Sequence, residues 1–115
     1  MVDIFKALAE ENRLRILSLL MVDDLCVCEI ESVLNMTQSN VSRHLTTLKQ
    51  CGILRNYKNA QWTYYCINDS FKEENKELYQ YLIKRLKELP SYEEDNDKFL
   101  KCRQEDVCNN SKNIN

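Results

Sequence analysis

Apolar residues along this chain recur with two different periods, and the change from one to the other predicts its elements. Phe5, Leu8 and Ala9 begin a helical stripe, and Leu14, Ile16, Leu17, Leu19 and Leu20 make the following helix apolar on more than one side, as expected of a central core helix. Ile30, Val33 and Leu34 then fall at i, i+3, i+4, and Val41, Leu45 and Leu48 at i, i+4, i+7, with a break at Asn35-Met36-Thr37. Thr37 is an N-cap type, and Gly52, the only glycine, stands where a helix ends in a left-handed residue, so the second helix of this pair spans about Gln38 to Cys51. Next come ILRNYK and WTYYCI, rich in β-branched and aromatic residues, on either side of Asn59-Ala60-Gln61, which predicts a hairpin. Its turn lacks glycine, so a three- or four-residue loop is expected rather than a two-residue one.

Two short helices joined by a tight turn and followed by a β-ribbon make a mainly α winged helix-turn-helix. After Asp69 and Ser70, either of which can cap, Phe71, Leu78, Leu82, Leu86 and Leu89 recur at near-heptad spacing up to Pro90, the only proline. The spacing predicts one amphipathic helix whose Phe71, Leu78, Leu82 and Leu86 form a homodimer seam. The chain is thus divided into residues 1–90, a DNA-binding and dimerisation domain, and residues 91–115, a polar, Asn-rich, cysteine-containing tail expected to be mobile, with Phe99 and Leu100 as its one apolar point.

The face of the second helix opposite Val41, Leu45 and Leu48 carries Gln38, Ser39, Asn40, Ser42, Arg43 and His44, with Thr46 and Thr47, all donors or acceptors and none a carboxylate. That inventory suits a helix laid in the major groove of double-stranded operator DNA, with Arg43 the candidate for a guanine. Lys58, Asn59 and Gln61 at the hairpin tip are placed to meet phosphates or a minor groove. Charge changes the picture in the same direction. The net charge is −2, but residues 36–68 hold 4 basic and no acidic side chains, between a segment at net −4 and one at net −2. A local basic patch supports phosphate binding even on an acidic molecule.

At 115 residues the chain is one domain, small enough that a dimer interface adds usefully to burial. Its start has no apolar core of secretory type and no apolar run approaches a membrane span, so a cytoplasmic protein without membrane contact is expected. In a reducing compartment the 6 cysteines read as thiols or metal ligands rather than a disulfide framework.

Two of them, Cys26 and Cys28, form a Cys-x-Cys pair directly before the helix-turn-helix. Thiolates select soft ions, which makes the pair a candidate sensor. Residues two apart in a helix point about 200° from each other, so both sulfurs can face one ion only if residues 25–28 are extended or unwound. Chelation is therefore expected to pull this segment out of helical geometry and tilt the helix that positions the reader.

Together, FKALAEENRLRIL, DLCVCEI, QSNVSRHLTTLKQCGIL and WTYYCI resemble the ArsR/SmtB family of metal-responsive transcriptional repressors, from about Phe5 to the helix before Pro90. The Leu-Cys-Val-Cys element is most similar to the arsenic-responsive branch and to the cadmium/lead-responsive one. The resemblance implies a homodimeric repressor that holds its operator when ligand-free and leaves it when the ion binds, with trivalent arsenic or antimony as inducer and no organic cofactor. In the arsenic branch a further thiolate often lies three residues after the second, where this chain has Glu31, so the third sulfur is expected from the tail, Cys102 or Cys108. With both, a four-thiolate cadmium, lead or zinc site is the alternative, although this chain has no N-terminal cysteine of the kind the cadmium/lead branch uses. Cys51 and Cys66 are read as structural. A thiol redox switch remains a further alternative. An enzyme is not expected, since there is no Cys-x-x-Cys, no Gly-rich phosphate loop and no acid-base pair beside a nucleophile.

Overall fold

The computed structural model describes residues 1–105. Helix α1 (Val2–Leu8) leads into α2 (Glu11–Leu20), whose first turn is fastened by the Glu10 carboxylate accepting from the Asn12 and Arg13 amides, each at 3.2 Å. A two-residue strand β1 (Leu25–Cys26) precedes α3 (Val27–Leu34), which ends on a left-handed Asn35 at φ 53°. Helix α4 (Gln38–Gln50) begins at Thr37, whose hydroxyl accepts from the Asn40 amide at 3.3 Å, and stops at Gly52 with φ +85°. Both boundaries of the predicted second helix are met.

Strands β2 (Leu54–Asn59) and β3 (Trp62–Ile67) pair antiparallel from Leu54↔Ile67 to Asn59↔Trp62. The turn between them is the two residues Ala60-Gln61, shorter than the expected three or four, because Ala60 takes a left-handed φ of 58° that glycine would ordinarily supply. The ribbon has a third member that periodicity did not reveal. Strand β1 pairs with β3 through Leu25↔Tyr65 and Cys26↔Tyr64, giving the order β1-β3-β2.

The core is built where the period of 3.6 placed it: Ile16, Leu17, Ile30, Val33, Val41, Leu45, Leu48 and Ile53 are buried and form one cluster. The C-terminal third differs from expectation. The single helix predicted after Asp69 is two, α5 (Asp69–Glu74) and α6 (Lys76–Arg85), broken at Asn75 and followed by a 3-10 turn over Leu86–Glu88; the cap is Asn68, accepting from the Ser70 amide at 3.2 Å. Residues expected as mobile tail form a helix α7 (Tyr92–Glu105), which buries Phe99 and Cys102 against the core. Its stripe was hidden because one of its buried positions is Asp95, a carboxylate that receives two 2.9 Å bonds from Arg15 of α2. A buried charge is tolerated when it is paired in this bidentate way.

Candidate thiolate site and nucleic-acid interface

Cys26 is the last residue of β1 and the N-cap of α3, in extended conformation (φ −91°, ψ 168°), and Cys28 lies in the first turn of that helix. The change from strand to helix between them brings the two Sγ atoms to 3.1 Å. Sulfurs sharing one ion through bonds of about 2.3 Å stand roughly 3.3 to 3.8 Å apart, so the pair is already close to chelating geometry. Residues 25–28 are thus extended at Cys26, the condition that helix geometry sets for both sulfurs to face one ion. Cys26 is a buried thiol, whereas the half-buried Cys28 is disulfide-bonded, so the expectation of thiols alone does not hold for it and ion capture by the pair requires its reduced form. Among the described residues no group of three or more His, Cys, Asp or Glu is arranged to hold a metal ion, so the pair needs further ligands. Cys102 lies buried on α7, which packs against α3, and Cys108 lies outside the described residues. Cys51 and Cys66 are engaged locally, their thiols directed at the carbonyls of Leu48 (3.4 Å) and Arg55 (3.8 Å), and burial pushes the Cys66 thiol up from its ordinary value.

A polar clamp surrounds the pair. Glu29, 3% exposed, accepts from the Cys26 amide at 3.0 Å with one carboxylate oxygen and from Arg103 at 2.8 Å with the other. Arg103, next in the chain to Cys102, also donates to the Asp23 carboxylate (2.7 Å) and the Asp24 carbonyl (3.3 Å). Asp24 in turn accepts from the Tyr57 hydroxyl of β2 at 2.6 Å, a bond that, with partial burial and the Asp24 charge, pushes the phenol up to about 12. The bonds of Arg103 and Tyr57 carry no sequence signal, because their partners lie 33 to 80 residues away along the chain. Only the Glu three residues after Cys26, at the capping-box position, carried a local signal.

On α4 the residues Gln38, Ser39, Asn40 and Arg43 are exposed, Ser42 is half-buried, and Arg43 donates to the Asn40 side chain at 3.1 Å. Lys58 and Gln61 are exposed at the wing tip. His44 is not on this face. It is 5% exposed, with Nδ1 3.3 Å from Arg13 and 3.5 Å from Glu10, because position 44 continues the buried stripe of Val41, Leu45 and Leu48 at i+3. Burial lowers its pKa, outweighing the Glu10 carboxylate, which raises it; Arg13 and Arg43 lower it further. The Arg13 side chain also donates to the Ala7 carbonyl at 2.6 Å, so this node ties α1 and α2 to the reading helix.

The predicted seam is also corrected. Phe71, Leu82 and Leu86 are buried within the chain's own core and Leu78 is half-buried, since the break at Asn75 folds α6 back over the core. The large apolar side chains left exposed include Met1, Val2 and Phe5 on or beside α1 and Tyr81 on α6. No helix among the described residues is long and apolar enough to cross a membrane.

Residues 2–56 match the family described as bacterial regulatory protein, arsR family. The arsenic resistance transcriptional regulator ArsR2 of Pseudomonas putida is 42% identical over 67 residues, 57% of this chain and 58% of that protein. The cadmium resistance transcriptional regulatory protein CadC of Listeria innocua is 38% identical over 66 residues, 56% of each. The chain thus spans little more than half the length of these two relatives. Among solved structures, HlyU from Vibrio cholerae superposes with a TM-score of 0.60 at 36% identity, covering 70% of this chain and 88% of that one. The homodimeric winged helix-turn-helix DNA-binding domain Mb0332 from Mycobacterium bovis superposes with a TM-score of 0.63 at 27% identity, covering 73% and 78%. With the winged helix-turn-helix fold and the matched sequence in agreement, the chain belongs to the ArsR family of bacterial transcriptional regulators.

Proposed function

We propose that this protein is a cytoplasmic metal(loid)-responsive repressor. As a homodimer it holds double-stranded operator DNA through α4 and the wing, and it lets go when trivalent arsenic or antimony is captured by thiolates. The observation that carries the reading is the 3.1 Å approach of the Cys26 and Cys28 sulfurs where strand β1 of the wing sheet passes into α3. The remaining sulfur comes from the C-terminal segment, Cys102 or Cys108; the Arg103 clamp on Asp23, Asp24 and Glu29 supports this by holding the Cys102-bearing helix beside the pair. Each reduced thiol that displaces a hydroxide from arsenite yields water, so capture by the reduced protein needs no oxidant. A four-thiolate cadmium or lead site is the second reading, favoured by the similarity to a cadmium resistance regulator.

In place of the buried leucines, the exposed apolar residues Met1, Val2 and Phe5, with Tyr81, support the dimer contact. Such a dimer spans half-sites about one helical turn apart.

The test is operator binding with and without arsenite. Cys26→Ser and Cys28→Ser leave the groove face untouched, so each is expected to bind DNA as the parent does and to keep it when arsenite is added. The coupling lost is on the order of 1 to 3 kcal/mol. Normal release by both variants would refute the thiolate pair. Cys102→Ser and Cys108→Ser then separate the two readings: desensitisation by only one supports three sulfurs, by both four.

A further inference from the structure

The thiolate pair and the wing are joined in a closed circuit. Cys26 on β1 is the register partner of Tyr64 on β3, and Tyr64 is the partner of Tyr57 on β2, their rings stacked with centroids 5.8 Å apart at 20°. From Tyr57 the hydroxyl returns to the Asp24 carboxylate at 2.6 Å, two residues before Cys26. Next along β2 is Lys58, at the wing tip. On its other side the same segment is gripped by Arg103, through the Asp23 carboxylate at 2.7 Å and the Asp24 carbonyl at 3.3 Å.

We propose that the Asp23-Asp24 segment is the joint through which the state of the thiolate pair reaches the wing, with Tyr57 as its positioning residue. The inference rests on the sensor reading above and specifies its route. A ligand shifts an equilibrium only through contacts that differ between the two states. The competing route runs from α3 to α4 through Ile30, Val33 and Leu34, all buried in a close-packed core that resists small displacements. Strand β1 has only two ladder positions, both on β3, and ends on Cys26 itself, so a displacement of Cys26 on closing on an ion acts directly on the sheet that carries the wing. The Asp24–Tyr57 bond is short and charge-assisted, and it spans from that strand's approach to the DNA-facing ribbon. A shift of β1 is thus delivered to the wing by a bond that itself touches neither ion nor DNA.

The experiment measures two quantities on full-length protein: cadmium and arsenite capture by thiolate absorption, and operator affinity by fluorescence anisotropy with and without each ion. Tyr57→Phe is expected to capture the ion and bind ion-free operator as the parent does. Its ratio of affinities without and with ion is expected to fall from the parent's roughly 5- to 150-fold to within about twofold of unity. Asp24→Asn, which keeps an acceptor for the phenol, is expected to release like the parent, and Asp24→Ala to fail. This pair decides the matter should Tyr57→Phe fold poorly. Parental release by Tyr57→Phe, or equal behaviour of the two Asp24 variants, overturns the joint and leaves the sensor intact. Absence of ion capture by the parent instead overturns the sensor, and the joint with it.

Discussion

The reading face of α4 and the corner around Cys26 are built on opposite plans. On the outward face of α4, which leaves out the buried His44, the polar side chains bond within their own helix: Arg43 to Asn40, and the Thr47 hydroxyl to the Arg43 carbonyl at 3.1 Å. At the corner, Arg103 reaches 74 residues back to Glu29 and 80 to Asp23, and Tyr57 reaches 33 back to Asp24. The reading face has little to lose when one of its residues is changed, and its substitutions report on DNA alone. The corner is cross-linked, so its substitutions report on folding and coupling together.

The largest expected effect that would break this contrast lies at Glu29. Glu29→Ala leaves the buried Cys26 amide and the Arg103 guanidinium without their carboxylate, and is expected to cost at least about 1 to 3 kcal/mol of stability in denaturant unfolding, with α7 loosened. Glu29→Gln keeps a carbonyl for Cys26 and should recover part of it. A loss below about 0.5 kcal/mol, the range of ordinary surface changes, would show that the corner is not cross-linked in energy as it is in geometry.

Arg43→Ala is the counterpart on the reading face. It is expected to weaken operator binding by about 1 to 3 kcal/mol and relax base preference while leaving the unfolding midpoint unchanged. Lys58→Ala should weaken binding to all sequences alike and reduce the slope of log affinity against log salt by about 1. A sequence-dependent loss would move Lys58 from phosphate to base contact.

The smallest effect sharpens the boundary of that face. His44 is buried beside Glu10 and Arg13, with its pKa below the ordinary value of 6.5, so the unfolded chain takes up a proton more readily than the folded one. Its contribution to stability is present above 6.5 and is lost as pH falls from there towards the lowered folded value. His44→Gln should flatten stability against pH in that window, and an unchanged profile would remove His44 from the node.

The same contrast explains what could be read in the sequence. Thr37, Gly52 and the stripe of Val41, Leu45 and Leu48 are local signals with a fixed period, and they bounded α4 correctly. Position 44 reads with its polar neighbours because its side chain is polar, although at i+3 from Val41 the helix turns it inward. Helix α7 is hidden in the sequence for the same reason, since its buried Asp95 is a charged residue whose partner, Arg15, lies 80 residues away. Strand β1 has two residues, too few for any alternation to register. The dimer seam failed on a different point: a heptad of leucines shows that a face is buried, but not whether by the chain's own core.

Ala60 has a consequence for the entropy of DNA binding. Its left-handed φ of 58° costs roughly 1 to 2 kcal/mol in a residue bearing a Cβ, and glycine there would remove the penalty. Glycine would also release the tip into many conformations, and any DNA contact that the exposed Lys58 and Gln61 make would require that freedom to be surrendered. With alanine the tip is ordered when the protein folds, so the loss of freedom falls on folding rather than on recognition. Stability and operator affinity therefore pull in opposite directions at this one residue.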